Sequence, residues 1–178
     1  NPIGKLATSI VDTEFDYIFH LAAWTRAGDF CLHNQGDQWI NNQKINTNML
    51  SYWKNHQPQA KLIAFGTSCA YPPDMVKTEK NYITGPPDKD LFTYAMTKRM
   101  LLSGMQALAK QYNMNYIYFI PNTLYGPDFD EGDSHFIFDI LKKISAAKHE
   151  GVVPVVLWGS VNQCREVVYV GDAVKMIV

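Results

Sequence analysis

The chain has 178 residues and a mass of 20.3 kDa, room for one domain or slightly more. Apolar residues make up 47%, charged residues 19%, and the formal net charge is −1, which excludes a disordered chain and leaves no basic surplus for nucleic acid or an anionic membrane as the main partner. Three cysteines without a CxxC spacing argue against a disulfide framework and a structural zinc site, and no run reaches the roughly eighteen apolar residues of a membrane span.

The first predicted element is a short apolar strand over Asp16–Ala22. Trp39, Ile40, Ile45, Met49, Leu50 and Trp53 recur at helical spacings and predict a helix over Gln38–Asn55. Leu62–Phe65 reads as a buried strand that stops at Gly66. A loop punctuated by Pro72-Pro73 and Gly85-Pro86-Pro87 follows, from about Tyr71 to Leu91, long enough to expect a functional role. A helix over Thr93–Tyr112, a strand over Tyr116–Ile120 and a loop over Asn122–Ser134 come next. The rest reads as a helix over His135–Lys148, an edge strand over Val152–Leu157 broken by Pro154, a strand over Val167–Val170, and a helix from Asp172.

Strands alternating with helices predict an α/β fold with a parallel sheet, and strands without strict alternation predict one covered on both faces. In such sheets ligands bind at the carboxyl ends of the strands. Here those ends are Ala22-Ala23-Trp24, Gly66-Thr67-Ser68-Cys69 and Pro121-Asn122-Thr123.

Tyr94 and Lys98 stand i, i+4 on a predicted helix and share one face. A phenol titrates near ~10, and a neighbouring ammonium lowers that value, so the pair is a candidate general acid/base. Alone, the spacing is a weak signal, and an exposed helix pair is the simpler reading. Thr67, at the preceding strand end, adds a hydroxyl that can hydrogen-bond a carbonyl held by Tyr94.

At this point the sequence resembles the extended short-chain dehydrogenase/reductases, the NAD-dependent epimerase/dehydratase family. His20-Leu21-Ala22-Ala23, Tyr94-x-x-x-Lys98, Tyr125-Gly126-Pro127, Arg165-Glu166 and Val170-Gly171-Asp172 fall in that family's order. Gly66-Thr67-Ser68-Cys69-Ala70-Tyr71-Pro72 and Val156-Leu157-Trp158-Gly159-Ser160 are most similar to its branch of GDP-4-keto-6-deoxymannose 3,5-epimerase/4-reductases. The resemblance implies a partial Rossmann-like parallel sheet flanked by helices over residues 1–150. A partial substrate-binding and crossover segment would follow over 151–178.

It implies NADP or NAD as cofactor, with NADP favoured, touched by Ala22, Ala23, Tyr94, Lys98, Pro121 and Leu124. Thr67 would orient the sugar carbonyl, Tyr94 would protonate the C4 oxygen as hydride arrives, and Lys98 would assist. Cys69 and His135 match the family's epimerisation pair. A thiol and an imidazole, with reference values of ~8.5 and ~6.5, both transfer protons near neutrality. Their bland reading is an inert buried thiol and a histidine that begins a helix. Asn122, Lys143, Trp158 and Arg165 match contacts to a nucleotide-diphosphate sugar; without the resemblance Trp158 is equally a core residue and Lys142 and Lys143 a solvated helix face. His20 reads as a satisfied strand-end histidine.

The departures are specific. The family's Gly-x-x-Gly-x-x-Gly turn is not in this sequence, and the first residue is not Met. An internal piece of a longer enzyme is therefore expected, inactive by itself, with incomplete cofactor binding and exposed sheet edges. Thr67 replaces the branch's Ser, Thr123 replaces an Asn, and Trp24–Asp37 does not resemble the branch's Gly-rich stretch. A single-activity nucleotide-sugar 4-keto reductase or epimerase is the alternative, and a non-catalytic nucleotide-sensing module on the same fold is the alternative of another class. A 4,6-dehydratase is disfavoured because Ser68-Cys69 stands where that relative has Asp-Glu. A cytoplasmic homodimer with no metal, nucleic acid or membrane partner completes the expectation.

Overall fold

In the computed structural model the described residues are 13–26, 29–127, 136–151, 154–157, 160, 162 and 164–178. Among them, strand β1 (Tyr17–His20) leads through a short helix α1 (Phe30–His33) into the long helix α2 (Gln35–His56). Strand β2 (Lys61–Phe65) runs into a single 3-10 turn (Ser68–Ala70), and a second such turn (Glu79–Asn81) interrupts the long loop. Helix α3 (Phe92–Tyr112) and strands β3 (Tyr116–Phe119) and β4 (Thr123–Tyr125) follow, then helix α4 (Phe136–Glu150), strand β5 (Val167–Tyr169) and helix α5 (Val170–Ile177).

Two parallel sheets result, one in the order β1-β2-β3 and one of β4 with β5. His20 pairs with Ala64 and Phe65 with Phe119, so the carboxyl ends of β1, β2 and β3 come out at one sheet edge. Leu62 and Ala64 alternate onto the face that α2 and α3 cover. Trp53 from α2, Leu101 and Met105 from α3, and Met114 complete that core. Trp53 is fully buried, and its indole N–H donates to the Ala60 carbonyl at 2.8 Å. Asn113 closes α3 in the left-handed region, φ 57°, where an Asn is better tolerated than most residues. Only the central strand is buried on consecutive residues; Tyr17 and Phe19 of β1 are exposed, so the expected cover on both faces does not extend to that strand.

Three sequence expectations change. Residues 154–157 of the expected strand Val152–Leu157 form no strand, and 152–153 lie outside the described residues. Pro154 has no N–H for a ladder, and the Val156 carbonyl instead accepts from Lys143 Nζ at 3.1 Å. The expected loop Asn122–Ser134 contains β4, a three-residue strand whose partner lies more than forty residues away and leaves no local periodicity. The last helix begins at Val170 rather than Asp172.

Helix α2 forms where apolar spacing predicts it, and Met49, Leu50 and Trp53 face the core as expected, but its N-terminal half buries polar residues. Trp39 and Ile40 are exposed, whereas Gln38, Asn42 and Asn46 are buried at i, i+4 and i+8. The physical reason is backbone satisfaction. The segment after β1 has no ladder partner at Trp24, so Asn42 supplies one: Oδ1 accepts the Trp24 N–H at 2.9 Å and Nδ2 donates to the Trp24 carbonyl at 3.0 Å.

Candidate active site

Thr67 lies two residues past the end of β2, half-buried and extended, φ −147°. Its hydroxyl accepts the Cys69 N–H at 3.4 Å and so caps the 3-10 turn that carries Cys69. Tyr94 sits in the first turn of α3, half-buried, with its phenol near the Thr67 side chain. Lys98 follows on the same face, with Nζ 6.0 Å from the Tyr94 ring centroid. The structure therefore brings Thr67, Cys69, Tyr94 and Lys98 together at the carboxyl edge of the sheet. His135, the expected partner of Cys69, and Trp158 lie outside the described residues.

Burial, not the ammonium, decides the titration of the phenol. Desolvation pushes Tyr94 up to about 12; electrostatic coupling to Cys69, Cys31 and Tyr82 adds to the rise, and the Thr67 side chain pulls the other way. The lowering expected from Lys98 is not among the causes of the shift, and burial lowers the pKa of the ammonium itself. A phenol held protonated at neutral pH is in the form that donates a proton.

The remaining candidates spread along the same edge and beyond it. Ala22 is exposed and Ala23 half-buried just past β1, Pro121 and Asn122 are half-buried past β3, and Leu124 lies within β4. Lys143 is half-buried on α4 and engaged with the Val156 carbonyl; Arg165 is exposed just before β5. His20 is buried; Nε2 lies 3.0 Å from Asn46 Oδ1, while Nδ1 has no hydrogen-bond partner, so it is only half satisfied. Burial lowers its pKa and keeps it neutral. Cys31, Cys69 and Cys164 are free thiols. Among the described residues no three His, Cys, Asp or Glu side chains cluster as metal ligands, and no helix is long and apolar enough to cross a membrane.

Sequence reasoning missed the residues that hold this edge in place. Arg99, buried beside Lys98, donates from Nε and Nη2 to the Ala70 carbonyl and from Nη1 to the Gly85 carbonyl at 2.7 Å. It ties the loop to the helix that carries Tyr94. Its position next to the Tyr-x-x-x-Lys pair was the one available signal. Asn46, Tyr82 and Tyr118 gave none, because their partners are remote in sequence.

A model of the NAD dependent epimerase/dehydratase family matches residues 3–178. The chain belongs to that family. It is 31% identical over 141 residues to a putative GDP-L-fucose synthase 2 of Oryza sativa subsp. japonica, covering 77% of this chain and 41% of that protein. It is 29% identical over 167 residues to a GDP-L-colitose synthase of Yersinia pseudotuberculosis, covering 91% and 54%. Among solved structures, a GDP-L-fucose synthetase from Naegleria fowleri bound to NADP superposes with a TM-score of 0.73 at 28% identity, covering 91% of this chain and 54% of that one. The GDP-mannoheptose C4 reductase of Campylobacter jejuni, at 18% identity and a TM-score of 0.79, shares the fold. The chain spans about half the length of the curated relatives it matches, 41% and 54% of the two above. The family's mixed α/β fold with parallel sheets flanked by helices is the fold observed.

Proposed function

We propose that the chain carries the catalytic edge of an NADP-dependent epimerase/reductase acting on a GDP-linked 4-keto-6-deoxy sugar. The observation that supports this best is the neighbouring placement of Thr67 and Tyr94, with Lys98 beside Tyr94, at the carboxyl ends of parallel strands. A ketone oxygen accepts two hydrogen bonds, and two neighbouring hydroxyls can supply them. Thr67 orients the C4 carbonyl. Tyr94, kept neutral by burial, gives its proton to the C4 oxygen as that oxygen gains negative charge. Lys98 offers an ammonium to stabilise the resulting phenolate.

Ala22, Ala23, Pro121 and Leu124, with Tyr94 and Lys98, fit the reactive end of a nicotinamide dinucleotide; the Gly-rich turn for its pyrophosphate is not in this sequence. When bound, the nicotinamide supplies hydride to C4. Asn122, Lys143, Trp158 and Arg165 are proposed contacts to the nucleotide diphosphate, Arg165 because a guanidinium fork matches phosphate oxygens.

The epimerase half is proposed on Cys69 with His135. A 4-keto group acidifies the C3 and C5 protons, because the carbanion is an enolate. Inversion needs a base on one face and an acid on the other, and Cys69 lies two residues from Thr67. A single-activity 4-keto reductase is the second reading, because Thr67, Tyr94 and Lys98 suffice for reduction without an epimerisation pair. The enzyme is proposed to work in the cytoplasm as a homodimer; the apolar groove lined by Trp39, Ile40, Phe92 and Met96 supports self-association.

The test uses the protein expressed from its complete gene, incubated with GDP-4-keto-6-deoxymannose in D₂O with and without NADPH. Deuterium at C3 and C5 together with NADPH oxidation is expected. NADPH oxidation without exchange leaves the plain reductase, and neither signal rejects the reading.

A further inference from the structure

Directly beneath the Thr67–Tyr94 pair, two tyrosines link the strand end to the helix. The Thr67 N–H donates to Tyr82 Oη at 3.2 Å. Tyr82 Oη lies 3.3 Å from Tyr118 Oη, and the Tyr118 hydroxyl donates to the Lys98 carbonyl at 2.8 Å. Each phenol has one proton. Tyr118 directs its own to Lys98, so Tyr82 must donate to Tyr118. A one-way chain of three hydrogen bonds therefore runs from the Thr67 amide to the Lys98 carbonyl. Such chains polarise one another and stiffen as a unit.

We propose that Tyr82 and Tyr118 are positioning residues that hold the Thr67 hydroxyl in register with Tyr94 and Lys98; the inference rests on the reductase reading above. Both ends of the bridge attach to residues of that site. The backbone path between them is the long loop after β2, which by itself fixes no distance. The Tyr82 ring is locked in turn. It is 1% exposed, edge-on to Tyr71 at 5.1 Å and to Tyr118 at 5.8 Å between centroids. The strand end descends onto the bridge at Gly66, where a Cβ would lie 2.6 Å from Tyr82 Oη and 2.7 Å from Tyr118 Cε1. Burial raises both phenols, so the bridge stays neutral at ordinary pH.

The experiment is a double-variant cycle of Tyr82→Phe and Tyr118→Phe in the protein expressed from its complete gene. It reads NADPH oxidation with the 4-keto sugar, melting temperature, and hydrogen exchange at the Thr67 amide. Each single variant is expected to lower kcat about tenfold, because a small misplacement of reacting groups is costly, with KM for NADPH unchanged within about twofold. The double variant is expected to be no slower than the slower single, since one chain can be cut only once. The Thr67 amide is expected to exchange faster in Tyr82→Phe. Tyr71→Phe trims a hydroxyl from the same aromatic cluster without touching the bridge, and is expected to keep its kcat.

Folded single variants with kcat within about twofold of the parent overturn the proposal. So do effects that multiply in the double variant, or an equal loss in Tyr71→Phe, since either marks plain packing. If the parent oxidises no NADPH, the reductase reading fails separately. The Thr67 amide then decides the bridge: unchanged exchange in Tyr82→Phe overturns it, and faster exchange supports it.

Discussion

The stretch from β1 to β3 and the stretch from β4 to Val178 are built differently. Both apolar cores of the described residues lie in the first, around Trp53, Leu62 and Met105 and around Tyr71, Tyr82 and Ala95. Among its described residues the second presents Val156, Leu157, Val167, Tyr169, Val174 and Met176 to solvent and buries Ala173 and Gly126. The hydroxyl pair and Lys98 belong to the first stretch, and the proposed sugar-nucleotide contacts Lys143 and Arg165 to the second. Proton transfer needs reacting groups held to fractions of an ångström, which a packed core supplies. Charged contacts to a diphosphate tolerate looser placement, because charge attraction falls off slowly with distance.

The sharpest way to break this contrast is to truncate one functional residue from each stretch. Tyr94→Phe is expected to cut NADPH oxidation about a hundredfold or more while deuterium exchange at C3 and C5 persists. Arg165→Ala is expected to raise KM for the sugar nucleotide with kcat nearly unchanged, as loss of uniform binding does. Steady-state kinetics on both variants decide it, and a kcat loss in Arg165→Ala equal to that of Tyr94→Phe would erase the distinction.

Stability separates the stretches next. Trp53→Ala is expected to cost about 3–5 kcal/mol in denaturant unfolding, because it removes a fully buried ring. Val174→Ala, on the exposed face of α5, is expected to stay within about 0.5 kcal/mol. Asn42→Ala falls between them. It leaves both backbone groups of Trp24 without their side-chain partner and is expected to cost about 1–3 kcal/mol by the same measurement.

The smallest effect is a pH slope. His20 is buried with its pKa below the ordinary 6.5, so the unfolded chain takes up its proton first as pH falls. Stability from this group is complete above pH 6.5 and declines as pH drops from there toward the lowered folded value. Unfolding measured at descending pH from 7.5 is expected to show this decline, and His20→Gln is expected to flatten it.

Much of the site was legible before any coordinates. The Tyr-x-x-x-Lys spacing places two side chains on one helical face whatever the surroundings, and Thr67 and Cys69 were marked by their place at a strand end. The family resemblance, carried by motifs in order, reached the same residues. What local reading misplaced were relations between distant segments. The apolar residues of α2 announced a helix, yet in its N-terminal half Gln38, Asn42 and Asn46 are buried in place of Trp39 and Ile40, and Asn42 serves a ladderless backbone at Trp24. Strand β4 was invisible because its three residues acquire strand character only from β5. The ammonium of Lys98 was expected to lower the Tyr94 pKa, and burial raised it instead.

Residue order by itself determined the alternation of parallel strands and helices, the sheet edge that carries the candidate site, and which hydroxyl, phenol and ammonium lie there. These follow from spacing and chain order, which survive any packing arrangement. Tertiary structure alone decided the titration of Tyr94 and the anchoring of the loop by Arg99. It also decided the tyrosine bridge from Thr67 to Lys98. Desolvation and hydrogen bonds across dozens of residues depend on what surrounds a group in space, and no local pattern encodes that.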